Sequence, residues 1–542
     1  MDISLQPQYQ DLGKAQAGSI FANEKESRSR IPTDLALAVR HEGFALSDDG
    51  EISWTDYDSI HHPSKWSTRR KLFDTTVILF FEFFTTVISN SGSLSAVQSH
   101  DELKIDLVPA VCIFTTTYLG GQVIGCIFLP PYTETFGRKP TYIVSSLVYG
   151  LANIIVGTPG NLASIICGRL ICGIISAIPT AVTAGSLEEI WSPHERIWAI
   201  QAWVAAFLVG LAIAPAITTA IGASTLGWRW VYHISAIVLV INSIVFIFIR
   251  ESRPIRILRK EIRRLTLKHN FDHQQLSIRH ADHVPDLRTF LRLHLLRPIN
   301  LFCTEPIVFA VAVMGATVEA SAYLMTEVLP KLYEGFGYDI RKSGLVFLAL
   351  GLGAITLPLL TRLYDARISK NKGAGLLPED KLLGFYIAAP IQAIALWWFA
   401  WSTPPHATSQ SPFISISSLI LIGFAINEFD YVLIGYLCDT YTTVAGSANA
   451  PLSILRALLI AVYPLFAPAL YDDLGNNVAG SVLAGIASLY CFVAVAFWKF
   501  GARLRRRSPW VLARKDSMVR KQSLERDVVG AGGGVQIAVS PE

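Results

Sequence analysis

The chain has 542 residues, of which 51% are hydrophobic and only 16% are charged, whereas a soluble domain carries roughly 25% charged residues. This composition excludes a water-soluble globular protein and predicts one membrane-embedded body. The formal net charge of +4 is too small to indicate nucleic-acid binding. The seven cysteines show neither CxxC nor Cys/His spacing, so neither a disulfide framework nor a metal site is expected.

Residues 1–71 are polar and mixed in charge, with no apolar period long enough to build a core. They predict a disordered cytoplasmic arm. The first long apolar run begins near Leu72, beyond the reach of a cleavable signal peptide. We therefore expect the first membrane span itself to direct insertion.

Twelve apolar runs follow, each close to the roughly 20 residues that a helix needs to cross a bilayer. They predict an all-α integral membrane fold of two six-helix bundles, over 72–249 and 301–499, joined by a basic cytoplasmic linker over 250–300. A basic tail over 500–542 predicts a disordered cytoplasmic C-terminus. The predicted spans are 73–93, 107–129, 140–157, 161–184, 198–222, 231–249, 302–322, 343–361, 382–400, 413–437, 447–470 and 478–498.

Lys and Arg cluster before span 1, between the two bundles and after span 12. Because cytoplasmic loops carry the excess of basic residues, both termini are expected in the cytoplasm. Within the linker, Ile255 to Leu265 predicts an amphipathic basic helix. Such a helix either lies on the anionic inner leaflet or forms part of a solvated linker.

The loop between spans 2 and 3 combines a glycine with acidic and basic residues. Gly137 permits a tight turn, while Glu134 and Arg138 can pair with helix ends and with other charges. The loop resembles the signature loop of the major facilitator superfamily, although Pro130 and Glu134 stand where the family has a glycine and an aspartate. It reads Pro131-Tyr132-Thr133-Glu134-Thr135-Phe136-Gly137-Arg138-Lys139-Pro140.

Further motifs are similar to the fungal twelve-span drug:proton antiporter branch of that superfamily, which exports drugs, polyamines and secondary metabolites. The resemblance implies an antiporter element, Gly-Pro-x-x-Gly-Gly, in span 5, where Pro215 is kept and Thr218 and Thr219 replace the glycines. It also implies alternating access around a site lined by spans 1, 4, 7 and 10. The remaining matches include Arg169 with Gly173, Trp228-Arg229-Trp230, Tyr436-Leu437-Cys438-Asp439-Thr440-Tyr441 and Arg456.

An internal repeat supports two related halves. Residues 185–191 and 435–441 both read Gly-x-Leu-x-acid-x-aromatic at the end of the fourth span of a half, as parallel repeats of a transporter require. Glu189 and Asp439 are therefore predicted to be matching gate charges. Glu189 is expected to pair with Arg138 or Arg196.

Acidic residues inside the predicted spans need a physical reason, because each costs at least about 2.5–3.5 kcal/mol to insert. Glu82 lies near the middle of span 1, and hydroxyl residues follow it on one helix face. We expect it to couple protons or bind substrate; the alternative is a structural partner to a buried base or hydroxyl. These hydroxyl residues are Thr85, Thr86, Ser89 and Ser93.

Spans 7 and 10 carry further acids, among them Glu305. Glu428 and Asp430 are two residues apart and cannot share a helix face, so at least one has a packing role. Glu319 either lines the cavity or lies solvated near the outer surface. Asn90 either contacts ligand or caps a helix, and Arg169 is either a structural or relay charge or a substrate ligand. The predicted coupling or substrate residues are Glu82, Asn90, Glu319, Glu428, Asp430 and Tyr431; the signature-loop and gate residues are Glu134, Gly137, Arg138, Lys139, Arg169, Glu189, Asp439 and Arg456.

These features predict proton-coupled export of an amphipathic organic compound, with the proton gradient as energy source and no cofactor. Import of a nutrient or polyamine is the alternative. A membrane enzyme is disfavoured, because Asn270 stands where a His-Glu-x-x-His protease with His269 and His273 needs its glutamate. The expected partners are the substrate, protons and the lipid bilayer, with the oligomeric state left open. The plasma membrane is the expected location and the vacuolar membrane the alternative.

Overall fold

The computed structural model describes residues 39, 44–46, 51–54, 62–158, 161–269, 277–278, 295–372, 377–405, 411–441, 444–508 and 510. Within these residues, twelve helices are long and apolar enough to cross a membrane, which confirms the predicted all-α twelve-span fold. They are α1 (Thr68–Leu103), α2 (Leu107–Val111 and Thr117–Phe136, joined by the π-helical stretch Cys112–Thr116), α3 (Arg138–Gly157), α4 (Leu162–Ile190), α5 (Pro193–Gly222), α6 (Arg229–Phe246), α7 (Pro306–Glu334), α8 (Ile340–Val346, Leu348–Thr356 and Pro358–Lys372), α9 (Leu383–Trp401), α10 (Pro412–Thr440), α11 (Ala445–Leu474) and α12 (Asn476–Arg507).

Most predicted spans agree with these helices to within about seven residues, but four helices (α1, α7, α8 and α12) extend nine or more residues beyond the predicted ends. Span 7, predicted over 302–322, is in fact α7, which begins at Pro306 and ends at Glu334. Helices α1 and α8 continue about ten residues further than predicted. Predicted span 8 stops just before Arg362, whose charge the structure buries against Glu428 of α10.

Local sequence sets several helix starts. Asn161 Oδ1 accepts a hydrogen bond from the Ser164 amide at 3.0 Å at the start of α4, a common N-cap arrangement. Pro193, Pro306 and Pro412 occupy first-turn positions, where the missing N–H has no helical partner to lose. Gly137 separates α2 from α3 with φ = 91°, and a Cβ there would lie 2.6 Å from Glu251 Oε2. Only glycine therefore suits this turn.

The helices pack in a repeating pattern. In the first half (α1–α6), α1 packs on α5, α2 on α4 and α3 on α6; in the second half (α7–α12), α7 packs on α11, α8 on α10 and α9 on α12. The halves meet where α5 packs on α8, α2 on α11 and α1 on α7. This correspondence is typical of a transporter built from two parallel repeats.

Short strands lie outside the helices. Strands β1 (Phe44–Leu46) and β2 (Glu51–Trp54) pair antiparallel, and β2 pairs parallel with β3 (Ser277–Ile278) of the linker. The prediction of a disordered 1–71 arm is therefore wrong for these residues, because β1 and β2 pair locally and β2 gains a further partner strand from the linker. Most of the arm, parts of the linker and the tail beyond 510 lie outside the described residues. The linker helix (Pro254–His269) confirms the helix predicted there.

Candidate functional site

An ion cluster joins four helices near the centre of the molecule. Arg456 of α11 places Nη1 2.5 Å from Glu319 Oε2 of α7 and 3.9 Å from Asp430 Oδ1 of α10. The carboxyls of Glu319 and Asp430 also lie within hydrogen-bonding reach of each other. Glu82 of α1, on the opposite half, lies within electrostatic range of Arg456 and Glu319. Two carboxyls thus share one guanidinium within the second half, and a third carboxyl, Glu82, lies within its electrostatic range across the interface between the halves.

The acids of the ion cluster are sealed from water in this conformation. The exposed fractions of Glu82, Glu319 and Asp430 are 1%, 2% and 5%. Oε2 of Glu82 has no hydrogen-bond partner among the described residues, and neither has the nearby indole N–H of Trp203. The alternative that Glu319 is solvated at the outer surface is wrong, because α7 continues fifteen residues beyond it to Glu334.

Glu428 faces away from the ion cluster. Its Oε2 lies 2.5 Å from Arg362 Nη2 of α8, and its Oε1 accepts a hydrogen bond from Thr361 at 2.7 Å. The Arg362 guanidinium also stacks on the ring of Tyr431, 3.4 Å from its centroid, and lies 3.5 Å from Asp365. Glu428 and Tyr431 therefore connect α8 to α10 within the second half. Neither residue lies in the ion cluster, although both were predicted to couple protons or bind substrate.

Arg169 is fully buried and is held by carbonyls and rings. Nε donates to the Phe114 carbonyl at 2.6 Å and Nη1 to the Ile88 carbonyl at 3.4 Å. Its guanidinium carbon lies 4.6 Å from the ring centroid of Tyr118 and 5.6 Å from that of Tyr232. Phe114 lies in the π-helical stretch of α2, where the backbone departs from regular α-helical hydrogen bonding. These contacts favour the structural interpretation of Arg169.

Asn90 bonds to a carbonyl that a proline has freed. Its Nδ2 donates to the Leu211 carbonyl of α5 at 2.9 Å, and Pro215 stands four residues later inside α5. Because proline has no N–H, the Leu211 carbonyl lacks its helical partner. Asn90 replaces that partner, a role that the predicted alternatives of a ligand contact or a helix cap did not include. It lies in the interior of α1, well before its end at Leu103.

Because of this hydrogen bond, the losses of stability caused by substituting Asn90 and by substituting Pro215 should depend on each other. Asn90→Leu should lower the free energy of unfolding by about 1–3 kcal/mol, because it leaves the Leu211 carbonyl buried without a donor. In a Pro215→Ala background the new N–H can bond that carbonyl, so the same change should cost about 1 kcal/mol less. Thermal unfolding of the purified protein in nanodiscs measures both.

The matched control is Asn153→Leu, which removes another buried asparagine whose Nδ2 bonds a carbonyl of its own helix at 2.8 Å. Its cost should be equal in the two backgrounds. Equal costs for Asn90→Leu in both backgrounds would contradict the interdependence.

The signature loop forms a charge latch within the first half. Arg138 donates to both carboxylate oxygens of Glu189, at 3.3 and 3.1 Å. Of the two partners predicted for Glu189, the structure therefore shows Arg138. Arg196 pairs instead with Glu188 at 2.5 Å. Glu251 accepts hydrogen bonds from the backbone N–H groups of Arg138 and Lys139 at 2.8 and 3.3 Å.

Two further contacts complete this latch. Arg253 lies 3.0 Å from Glu189, and the Lys139 side chain donates to the Ile247 carbonyl at 2.7 Å. The side chain of Glu134 lies outside the described residues. The end of α4 and the segment that follows α6 are thereby joined to the start of α3 by charged side chains.

The second half carries the equivalent latch. Lys381, just before α9, lies 2.5 Å from Asp439 at the end of α10, and Glu379 pairs with Arg505 of α12 at 2.7 and 3.0 Å. The hydrogen bond from Lys372 lowers the pKa of neighbouring Asp380. Sequence reasoning missed Glu251, Glu379, Lys381 and Arg505. The internal repeat contained the signal, because the loop before α9 occupies the position of the signature loop.

Comparisons with known proteins agree with this architecture. The sequence profile of the Major Facilitator Superfamily matches residues 75–464. The chain is 26% identical over 468 residues to the "Cercosporin MFS transporter CTB4" of Cercospora nicotianae, covering 86% of this chain and 90% of that protein. It is 28% identical over 479 residues to the "Efflux pump vrtL" of Penicillium aethiopicum, covering 85% and 92%.

One more relative and one solved structure complete the comparison. The chain is 27% identical over 470 residues to the "Multidrug transporter TPO1_2" of Candida glabrata, covering 85% of this chain and 79% of that protein. The proton:xylose symporter XylE bound to 6-bromo-6-deoxy-D-glucose superposes with a TM-score of 0.57 at 15% identity, covering 80% of this chain and 96% of that one. At this identity the superposition shows the fold alone.

Proposed function

The chain belongs to the Major Facilitator Superfamily, and we propose that it is a proton-coupled exporter of amphipathic organic compounds such as drugs, toxins or secondary metabolites. Membership makes it a membrane transporter rather than an enzyme. Export is supported by the relatives described as an efflux pump and a multidrug transporter. We further propose the plasma membrane as its location, with both termini in the cytoplasm; the distribution of basic residues predicts this orientation of the termini.

The observation that carries proton coupling is the position of the ion cluster across the interface between the halves. Glu82 belongs to the first half, whereas Glu319, Asp430 and Arg456 belong to the second. With every carboxyl ionised the cluster holds three negative charges against one positive, and such an excess is costly where water is excluded. Proton binding removes that excess, so the cluster exchanges protons more readily than an evenly paired one.

The same geometry links proton binding to movement. The attraction between ionised Glu82 and Arg456 acts across the two halves, and protonation of Glu82 abolishes it. Protonation therefore biases the halves toward one opening of the central site and proton release toward the other. Substrate that binds between the halves is carried by the same change, in the direction set by the proton gradient.

The test measures cellular accumulation of rhodamine 6G, a fluorescent amphipathic cation, and of the neutral dye Nile red in an efflux-deficient host. The chain should lower accumulation of at least one dye while the proton gradient stands, and a protonophore should remove the effect. Glu82→Gln should reduce gradient-driven export about tenfold, since it keeps the shape of the side chain but cannot exchange a proton.

The matched control is Glu334→Gln, which changes an exposed glutamate at the end of α7 and should export as wild type does. Export that persists after the protonophore would contradict proton coupling. Raised accumulation in cells expressing the wild-type chain would instead identify an importer.

A further inference from the structure

A polar seam runs between α1 and α7, starting at the ion cluster. On α7, Glu319, Tyr323 and Glu327 recur every fourth residue and so share one face. On α1, Ser89 and Ser93 have the same spacing; the Tyr323 hydroxyl lies close to Ser89 and the Glu327 carboxyl lies close to Ser93. The seam extends two helical turns from Glu319, about 12 Å, toward the end of α7 that the basic-residue distribution places outside.

Glu327 is a half-buried acid that the ion cluster does not use. Its Oε1 is buried and has no hydrogen-bond partner among the described residues, although the helix spans the membrane. An acid retained at such depth without full pairing costs free energy, so a functional role is the default expectation. Its position was missed by sequence reasoning because predicted span 7 ended at residue 322.

Other charged groups surround the seam without pairing with Glu327. Behind it, the Ser93 and Thr115 hydroxyls are 3.1 Å apart. A Cβ on Gly92 would lie 3.0 Å from Thr115 Oγ1 and 2.5 Å from Arg169 Nη2, so the Arg169 guanidinium lies beyond these hydroxyls. Lys331, one turn outward, pairs with Asp472 of α11. Inward lie Glu319 and Arg456 of the ion cluster.

We propose that Glu327 is a second proton-binding residue, the outer relay through which protons reach the ion cluster along the α1–α7 seam. The inference rests on the proposed proton-coupled transport. When α1 and α7 separate, hydronium at the outer mouth gives its proton to Oε1 of Glu327, forming an O–H bond and releasing water. The proton then passes through the Tyr323 hydroxyl or water to Glu319, and Glu327 returns to the carboxylate. In the conformation of the structure, the Tyr323 side chain is only 6% exposed. Water is therefore excluded from the seam at this residue, and the path is closed.

The test compares two transport modes of the full chain in proteoliposomes with rhodamine 6G as probe. One mode is uptake driven by an imposed pH gradient; the other is exchange of internal for external dye with no gradient, which needs no net proton movement. Glu327→Gln should slow gradient-driven uptake about tenfold and shift its dependence on outer pH, while exchange stays at the wild-type rate. Glu334→Gln, on the same helix and exposed, is the matched control and should alter neither mode.

Equal losses in both modes would mean that Glu327 is merely structural, and wild-type behaviour in both would remove it from the proton path; either result overturns the inference. If wild type itself shows no gradient-driven uptake, the proposed function fails for this probe. A measurement that does not depend on transport then decides whether Glu327 binds protons. Dicyclohexylcarbodiimide reacts with protonated carboxyls in apolar surroundings, so Glu327 should be modified, less so as pH rises, when mapped by mass spectrometry. Absence of modification at every pH overturns the inference.

Discussion

Replacing Arg456 with glutamine is expected to abolish gradient-driven transport, lowering its rate about a hundredfold, which corresponds to roughly 3 kcal/mol. Arg456 is the cation that holds Glu319 at 2.5 Å and Asp430 at 3.9 Å. Without it, two adjacent carboxyls remain, and they cannot both ionise at such a separation. The pair would keep a proton throughout the cycle, so the gradient could no longer drive a change of state.

Two companion variants separate this effect from misfolding. Arg456→Lys keeps the charge but offers one compact ammonium instead of a planar fork, and should restore transport only in part. Arg503→Gln, which removes an exposed arginine from the end of α12, is the matched control and should transport as wild type does. The measurement is uptake of rhodamine 6G into proteoliposomes under a pH gradient, normalised to folded protein. Gradient-driven uptake by Arg456→Gln at the wild-type rate would contradict the assigned role.

Much of the fold follows from the sequence because bilayer thickness imposes a simple length rule. An apolar run of about 20 residues has few alternatives to a membrane helix. The opposed directions of Glu428 and Asp430 also follow from helix geometry alone. The structure bears this out, since Glu428 contacts Arg362 of α8 while Asp430 contacts Arg456 of α11.

The sequence does not reveal which charged residues inside the membrane are stabilised by partners on other helices. Arg362 and Glu327 lie beyond the predicted ends of spans 8 and 7, at residues 361 and 322. In the structure Arg362 is fully buried against Glu428 and the ring of Tyr431. Such partners come from other helices, so a hydropathy pattern along one helix cannot reveal them.

Asn90 shows a second limit of pattern reasoning. The antiporter-element proline is visible in the sequence, but the carbonyl it frees at Leu211 and the amide that bonds it lie on different helices. The structure thus gives this residue a backbone reason for being polar. Membrane helices tolerate proline when a neighbouring helix satisfies the freed carbonyl. Here the side chain of Asn90 on α1 provides that hydrogen bond.

Removing Glu428 should produce the largest loss of stability among these variants. Among the described residues, Glu428→Ala leaves the fully buried Arg362 with only Asp365, at 3.5 Å, as an acid partner. Stranding one member of a buried ion pair costs about 3–5 kcal/mol. Thermal unfolding of the full chain in nanodiscs, followed by tryptophan fluorescence, measures the change. Asp472→Ala is the matched control, because it breaks the exposed pair with Lys331, and exposed pairs contribute about 1 kcal/mol or less.

The double variant Glu428→Leu/Arg362→Met decides whether this pair is structural or takes part in proton coupling. Replacing both members of a buried pair with apolar side chains of similar size is often neutral or stabilising, so most of the stability lost in Glu428→Ala should return. Since both side chains point away from Glu82, Glu319 and Asp430, gradient-driven transport should return with it. A double variant that is stable but no longer responds to the gradient would contradict this assignment, because Glu428 would then belong to the coupling machinery.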